Sequence, residues 1–231
     1  MTLRKTKIVA TLGPSSSSEE MLARMITAGV NVVRLNFSHG TAEEHIKRAE
    51  IVRSIAAKLG RPVGVLCDLQ GPKIRIGKFE LGKVALKMGD IFILDADCEL
   101  GNQDHVGLDY KALPQEVTAG DVLLLDDGRI TMQVDRVKGN QIHCLVLNGG
   151  VLSNNKGINR QGGGLSADAL TKKDREDIKT AVKLEADYIA MSFPKNALDV
   201  ELARTLVKKA GGNSSIVAKI ERAEAIENLE A

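Results

Sequence analysis

A chain of 231 residues with 43% hydrophobic and 27% charged side chains can bury a sizeable core, which excludes disorder as the default reading. With 32 basic and 30 acidic residues the net charge is only +2, so bulk electrostatics give no support to a large nucleic-acid footprint. The three cysteines, Cys67, Cys98 and Cys144, are far apart, odd in number and without a C-x-x-C pair, so free buried thiols in a reducing cytosol are expected rather than disulfides or zinc. No apolar run approaches the roughly 20 residues that span a bilayer. The opening "MTLRKTKIVATLGPSSSS" has too short an apolar core for a secretory signal, so the expectation is a cytoplasmic protein with no membrane partner.

Short β-rich apolar runs then alternate with segments of helical period, the pattern of βα units around a parallel sheet. Lys7 to Thr11 is the first predicted strand. A serine run follows, in which Ser17 or Ser18 is placed to cap a helix with Glu19 and Glu20 in its first turn; that helix ends near Gly29. Asn31 to Asn36 reads as the second strand and Thr41 to Leu59 as the second helix, with Thr41 and Glu44 spaced as a capping box. Val63 to Asp68 is a third buried strand.

Between Gly71 and about Ser166 the helical period disappears. "KMGDIFIL" and "TAGDVLLL" share a turn-then-strand pattern, and Asp127-Gly128 and Gly139-Asn140 are hairpin signals, so an inserted small all-β barrel is predicted. The glycines of "RQGGGLS" lack the preceding strand and following lysine of a phosphate loop and read as a hinge. The βα rhythm resumes with a helix at about 171–184, a strand at 188–192, a helix at about 197–210 and a strand at 215–219. Five parallel strands fall short of the eight in a closed (β/α)₈ barrel. The predicted fold is therefore α/β, a partial barrel over 1–70 and 167–231 with a β-barrel domain inserted at 71–166.

In barrels of this kind, chemistry gathers at the carboxyl ends of the strands. Polar residues fall there repeatedly: Thr11, then Arg34, Asn36, Ser38 and His39, then Asp68, Ser192, and finally Lys219 and Glu221, which share one face of "VAKIE". Each also has a plainer reading. Arg34 could pair with a structural carboxylate such as Asp68, His39 beside Gly40 could be loop punctuation, Lys156 could be a solvated lysine, and Lys219 with Glu221 a structural ion pair.

Taken together, "KIVATLGPSS", "NVVRLNFSHG", "DLQGPKIR", "LLDDG", "NNKGIN", "YIAMSFP" and "AKIE" resemble, in order and spacing, the amino-terminal half of pyruvate kinases. That family carries a β-barrel lid between the third strand and third helix of a (β/α)₈ barrel. The resemblance implies a glycolytic phosphotransferase that moves the phosphoryl group of phosphoenolpyruvate to ADP, giving pyruvate and ATP. It matches Lys219 to the catalytic lysine, Arg34 to a phosphate-binding arginine and Glu221 to a ligand of Mg²⁺ or Mn²⁺. Asn36, Ser38, Asp68 and the carbonyl of Leu69 match the K⁺ site, and Thr11, Pro14, His39, Arg75 and Lys156 match positions near the nucleotide.

Two departures qualify the resemblance. Lys73 stands where many members carry glutamate, which puts a tethered ammonium where K⁺ would be favoured. The family's second metal-binding carboxylate, in a Gly-Asp-Leu-Gly motif, falls beyond residue 231, so a fragment inactive by itself is expected. The intact family member is expected to be a homo-oligomer, a tetramer. Two other readings are carried: a barrel enzyme in which Lys219 forms a Schiff base, as in some aldolases, and a non-catalytic partial barrel that self-associates through its open edges.

Overall fold

The computed structural model describes residues 4–72 and 74–230. In chain order the elements are β1 (Val9–Thr11), α1 (Glu19–Ala28), β2 (Val32–Asn36), α2 (Ala42–Lys58) and β3 (Gly64–Asp68). Next come β4 (Lys78–Phe79), β5 (Lys83–Leu86), β6 (Ile91–Asp95), β7 (Leu100–Gly101), β8 (His105–Gly107) and the short helix α3 (Leu113–Glu116). Then follow β9 (Val122–Leu125), β10 (Ile130–Lys138), β11 (Gln141–Asn148), β12 (Gly150–Ser153) and β13 (Ile158–Arg160). The chain finishes with α4 (Lys172–Lys183), β14 (Tyr188–Met191), α5 (Ala197–Lys209), β15 (Ser215–Ala218) and α6 (Ala223–Glu227). Two compact units result: one holds the chain up to Pro72 and from Asp168 onward, the other the residues between.

The first unit is an α/β half-barrel built on one parallel sheet, ordered β1-β2-β3-β14-β15. Each strand lies beside its predecessor in the sheet, with no reversal of order of the kind that marks a doubly wound fold. Period-two alternation assigns the faces. Val33, Leu35, Val65, Cys67, Ile189 and Met191 are buried in the core shared with the helices. Arg34 and Asn36 alternate with them on β2, in register with Leu66 and Asp68 of β3.

Local chemistry sets the helix limits. The Ser18 hydroxyl accepts a hydrogen bond from the Met21 amide (3.2 Å), and α1 stops at Gly29 with φ +112°, a conformation that costs glycine little. Thr41 and Glu44 form the expected capping box on α2, and Thr171 with Asp174 forms another on α4. The first strand is shorter than predicted: Lys7 and Ile8 precede it, although the Ile8 carbonyl still accepts from the Asn31 and Val32 amides.

The second unit packs its own core around Phe92, Leu94, Leu123, Leu125, Met132 and Ile142. Its main sheet runs β13-β9-β10-β11-β6-β8, joined by two-stranded pairs β12-β5 and β4-β7. The two similar sequence patterns fold alike: the carboxylates of Asp90 and Asp121 each accept the amide three residues back (Lys87 and Thr118, both 2.7 Å), with Gly89 and Gly120 at positive φ. Both hairpin signals join antiparallel neighbours, β9-β10 and β10-β11. Cys67 and Cys144 are buried and free as expected, whereas Cys98 is only partly buried, because it lies beyond the end of β6 in the turn before β7. Among the described residues no helix is long and apolar enough to cross a membrane.

Candidate active site

At the carboxyl ends of β2, β3, β14 and β15, the first unit gathers a connected set of charged and polar groups. Asp68 is its hub, 3% exposed. Arg34 sends Nε (2.7 Å) and Nη2 (2.5 Å) to Asp68 Oδ2, while its Nη1 donates to Thr11 Oγ1 (3.0 Å). Lys219 Nζ approaches Asp68 Oδ1 and Glu221 Oε1, each at 3.3 Å, and donates to Ser192 Oγ at 2.9 Å. The Ser192 hydroxyl in turn donates to the Leu69 carbonyl (2.9 Å). β15 stops at Ala218, one residue short of the predicted strand end, so Lys219 and Glu221 lie just beyond it and are brought together by their 3.3 Å contact instead of by strand alternation.

Backbone geometry holds this set. Phe37 donates its amide to the Asp68 carbonyl, Leu69 to Ala190, and Lys219 to Met191, so each strand end is tied to a neighbour. Phe193 has φ +59°, rare for a bulky side chain, and that turn aims its amide at Glu221 Oε2 (3.3 Å). Asn36 Oδ1 accepts the Ser38 amide (3.0 Å), and His39 follows in the same turn, its amide bonded to the Asn36 carbonyl. Pro14 opens a single 3₁₀ turn after β1, closed by Ser16 and Ser17 hydroxyls on the Gly13 carbonyl.

Beneath that loop His45 is buried, stacked on Phe37 with ring centroids 4.3 Å apart, and its Nε2 bonds the His39 carbonyl at 2.9 Å. Lys173 Nζ donates to the Phe37 carbonyl (2.8 Å), so two carbonyls of the loop are pinned. Burial lowers the His45 pKa below its ordinary value, against the opposing effect of the carbonyl bond. Burial also raises the Asp177 and Cys67 values.

Arg75 and Lys156 belong to the second unit. There Arg75 bridges to Gly157, and Lys156 Nζ pairs with Asp126 Oδ1 at 2.7 Å. Asp126 and Asp127 both have positive φ (50° and 57°), so the "LLDDG" turn presents its carboxylate to Lys156 instead of leaving that lysine solvated. The Lys73 position lies outside the described residues.

Metal chemistry can be weighed on the donors present. Among the described residues no three His, Cys, Asp or Glu side chains form a ready metal cluster. Glu221 nevertheless has only 3.3 Å contacts at both oxygens, which leaves a carboxylate suited to a divalent ion that also takes oxygens from substrate and water. Asp68 Oδ1 is buried, lacks a hydrogen bond, and has only the ammonium of Lys219 nearby, so it too is matched to a cation.

From the sequence, Ser192 is a strand-end residue without an assigned role and Asp174 has none. Their only local signs are a hydroxyl just past the end of β14 and a Thr-x-x-Asp box that looks like ordinary capping.

A half-barrel of consecutive parallel strands with a carboxylate-linked arginine and lysine at their carboxyl ends defines the class: a partial (β/α) barrel with its charged groups gathered at one end of the sheet. Residues 3–231 match the family described as pyruvate kinase, barrel domain, and the chain belongs to the pyruvate kinase family. It is 57% identical over 231 residues to pyruvate kinase of Haemophilus influenzae, covering 99% of this chain and 48% of that protein. To pyruvate kinase II of Salmonella typhimurium it is 56% identical over 226 residues, with 97% and 47% covered. With pyruvate kinase of Mycobacterium tuberculosis the identity is 43% over 229 residues, with 99% and 48% covered. The chain thus spans about half the length of the curated relatives it matches.

Proposed function

We propose that this chain carries the phosphoryl-handling part of an enzyme that transfers phosphate from phosphoenolpyruvate to ADP, giving pyruvate and ATP in the cytoplasm. The observation that carries the reading is the single cluster in which Arg34 and Lys219 converge on Asp68 with Glu221 alongside. Arg34 binds the phosphate as a planar fork already aimed by Asp68 and Thr11. Lys219 holds its ammonium where charge develops on the moving group and the enolate. Glu221 supplies one oxygen to Mg²⁺ or Mn²⁺, an ion that neutralises and orients phosphate oxygens when bound.

Asn36, Ser38, Asp68 and the Leu69 carbonyl are the oxygens assigned to a monovalent cation. Thr11, Pro14, His39, Arg75 and Lys156 are assigned to the nucleotide. Lys73 supports a protein that works without K⁺, since a tethered ammonium supplies the same charge. Assay of a full-length version in tetramethylammonium buffer tests this, and a large activation on adding KCl would refute it.

The Schiff-base alternative is disfavoured by family membership and by Glu221 and Arg34 beside the lysine. Self-association into a homo-oligomer is the partner proposal, since β1 and β15 each have one sheet neighbour, with Val9 and Val217 exposed on them. Light scattering that reports a clean monomer at high concentration counts against it.

The deciding experiment is a coupled assay with phosphoenolpyruvate, ADP and Mg²⁺, run on this chain and on a version extended to the full length of its relatives. Turnover by the longer protein, with little or none by residues 1–231 alone, is expected. A longer protein that folds but makes no pyruvate overturns the reading.

A further inference from the structure

Asp174 is fully buried, with no exposed surface, yet it lies neither on a strand nor among the charged groups described above. Its Oδ2 accepts from the Thr171 amide (2.8 Å) and hydroxyl (2.6 Å), as a capping residue's would. Its Oδ1 does something else. It accepts the amide of Gly71 at 3.0 Å, a residue 103 positions earlier, in the turn that leaves β3.

That turn is packed hard against Ser192. Gly71 has φ +67°, and a Cβ added there would sit 2.8 Å from Ser192 Cβ and 3.4 Å from the Ser192 carbonyl oxygen. Two residues back in the same turn, the Leu69 carbonyl receives the Ser192 hydroxyl, and that hydroxyl's oxygen receives Lys219 Nζ. A hydroxyl has one proton to give, so the acceptor it points at decides which lone pairs remain for the ammonium. Shifting the turn therefore rotates Ser192 and releases one of the bonds that aim Lys219.

We propose that Asp174 is a positioning residue for Lys219, acting through Gly71, the Leu69 carbonyl and Ser192. Its consequence for phosphoryl transfer rests on the function proposed above, but the positioning itself does not. The carboxylate locks the start of α4 to the end of β3, so one buried anion sets both a helix cap and the geometry of a reactive ammonium three links away.

The test follows the Lys219 ammonium by proton–nitrogen NMR of the whole chain, where a hydrogen-bonded NH₃⁺ exchanges slowly with water. Asp174→Ala is expected to speed Lys219 exchange by roughly fivefold, the effect of losing about one buried hydrogen bond. Asp174→Asn, whose amide oxygen can still accept from Gly71, is expected to restore slow exchange. Thr171→Ala removes the cap hydroxyl but keeps the Gly71 bond, so it is expected to lower the thermal midpoint and leave Lys219 exchange unchanged. Gly71→Ala, which displaces the turn with the carboxylate intact, is expected to speed exchange and keeps the test alive should Asp174→Ala not fold. Unchanged exchange in Gly71→Ala or in a folded Asp174→Ala overturns the proposal, as does equal acceleration in Thr171→Ala. Adding phosphoenolpyruvate with Mg²⁺ to the wild type separates the two ideas: a Lys219 signal that never responds defeats the proposed function and leaves the positioning result standing.

Discussion

Asp68 carries two cations on one carboxylate, and its burial makes the arrangement costly to break. Arg34 and Lys219 are each about a third exposed (30% and 32%), so solvent screens part of their attraction. Asp68→Ala is expected to lower unfolding free energy by about 2 kcal/mol, below the full cost of splitting a wholly buried pair. Urea unfolding checks it, and a loss near zero would mean the cluster contributes nothing to the fold. The thiols give a second prediction at this scale. Burial pushes the Cys144 pKa up to about 12 and raises that of Cys67, so neither forms thiolate in the native protein near neutral pH. Cys98 is also raised, by burial and then by Asp95, but is only partly covered. A chromogenic disulfide reagent should titrate Cys98 alone, slowly, and the other two only after unfolding. Rapid labelling of three thiols in the folded state would contradict this.

The element scale shows why some features were readable in advance. Thr41 with Glu44 is a local pattern, and α2 begins where it says. Strand alternation likewise put Arg34 and Asn36 opposite Val33 and Leu35, because side-chain direction is set by parity alone. The 3.0 Å bond between Asp174 and Gly71 joins residues 103 apart, so nothing in either neighbourhood announces it. The five-residue α6 was missed for a different reason: it is too short to show a period, and no side chain caps it. His45 on α2 supports a pH prediction. Its native pKa is lowered, so the native state binds fewer protons than the unfolded chain and stability falls as pH drops through the ordinary value of about 6.5. Asp177, raised by burial, acts with the opposite sign and in its own range above about 3.8, and Glu44 and Arg48 also face the ring electrostatically. The thermal midpoint should fall between about pH 7.5 and 5.5, and His45→Gln should flatten that slope. An unaltered slope in the variant would remove His45 as its source.

At the scale of the whole molecule, the order of βα units was legible because each unit has its own caps and its own apolar run. The break in helical period after Asp68 was equally visible, since strands of the second unit alternate with period two and turn at Asp127-Gly128 and Gly139-Asn140. Convergence was legible in outline, as polar residues at successive strand ends with Arg34 and Asp68 as a candidate pair, but the bonds that join the set were not. That Thr11, Arg34, Asp68, Ser192 and Lys219 form one bonded set follows from the strand order β1-β2-β3-β14-β15, and strand order is a long-range property. Family resemblance supplied roles for Thr11, Arg34, Asp68 and Lys219, and geometry supplies what the resemblance lacked: Asp68 as the hub, and Ser192 as the link to Leu69.

The central claim is that the Arg34–Asp68–Lys219 cluster receives a phosphorylated substrate. Calorimetric titration of phosphoenolpyruvate into the Mg²⁺-equilibrated chain addresses it most directly, comparing wild type with Arg34→Ala and Lys219→Met. Measurable binding by the wild type, weakened roughly tenfold or more in each variant by loss of a charge-assisted contact, is the predicted result. Equal affinity in wild type and both variants would contradict the account.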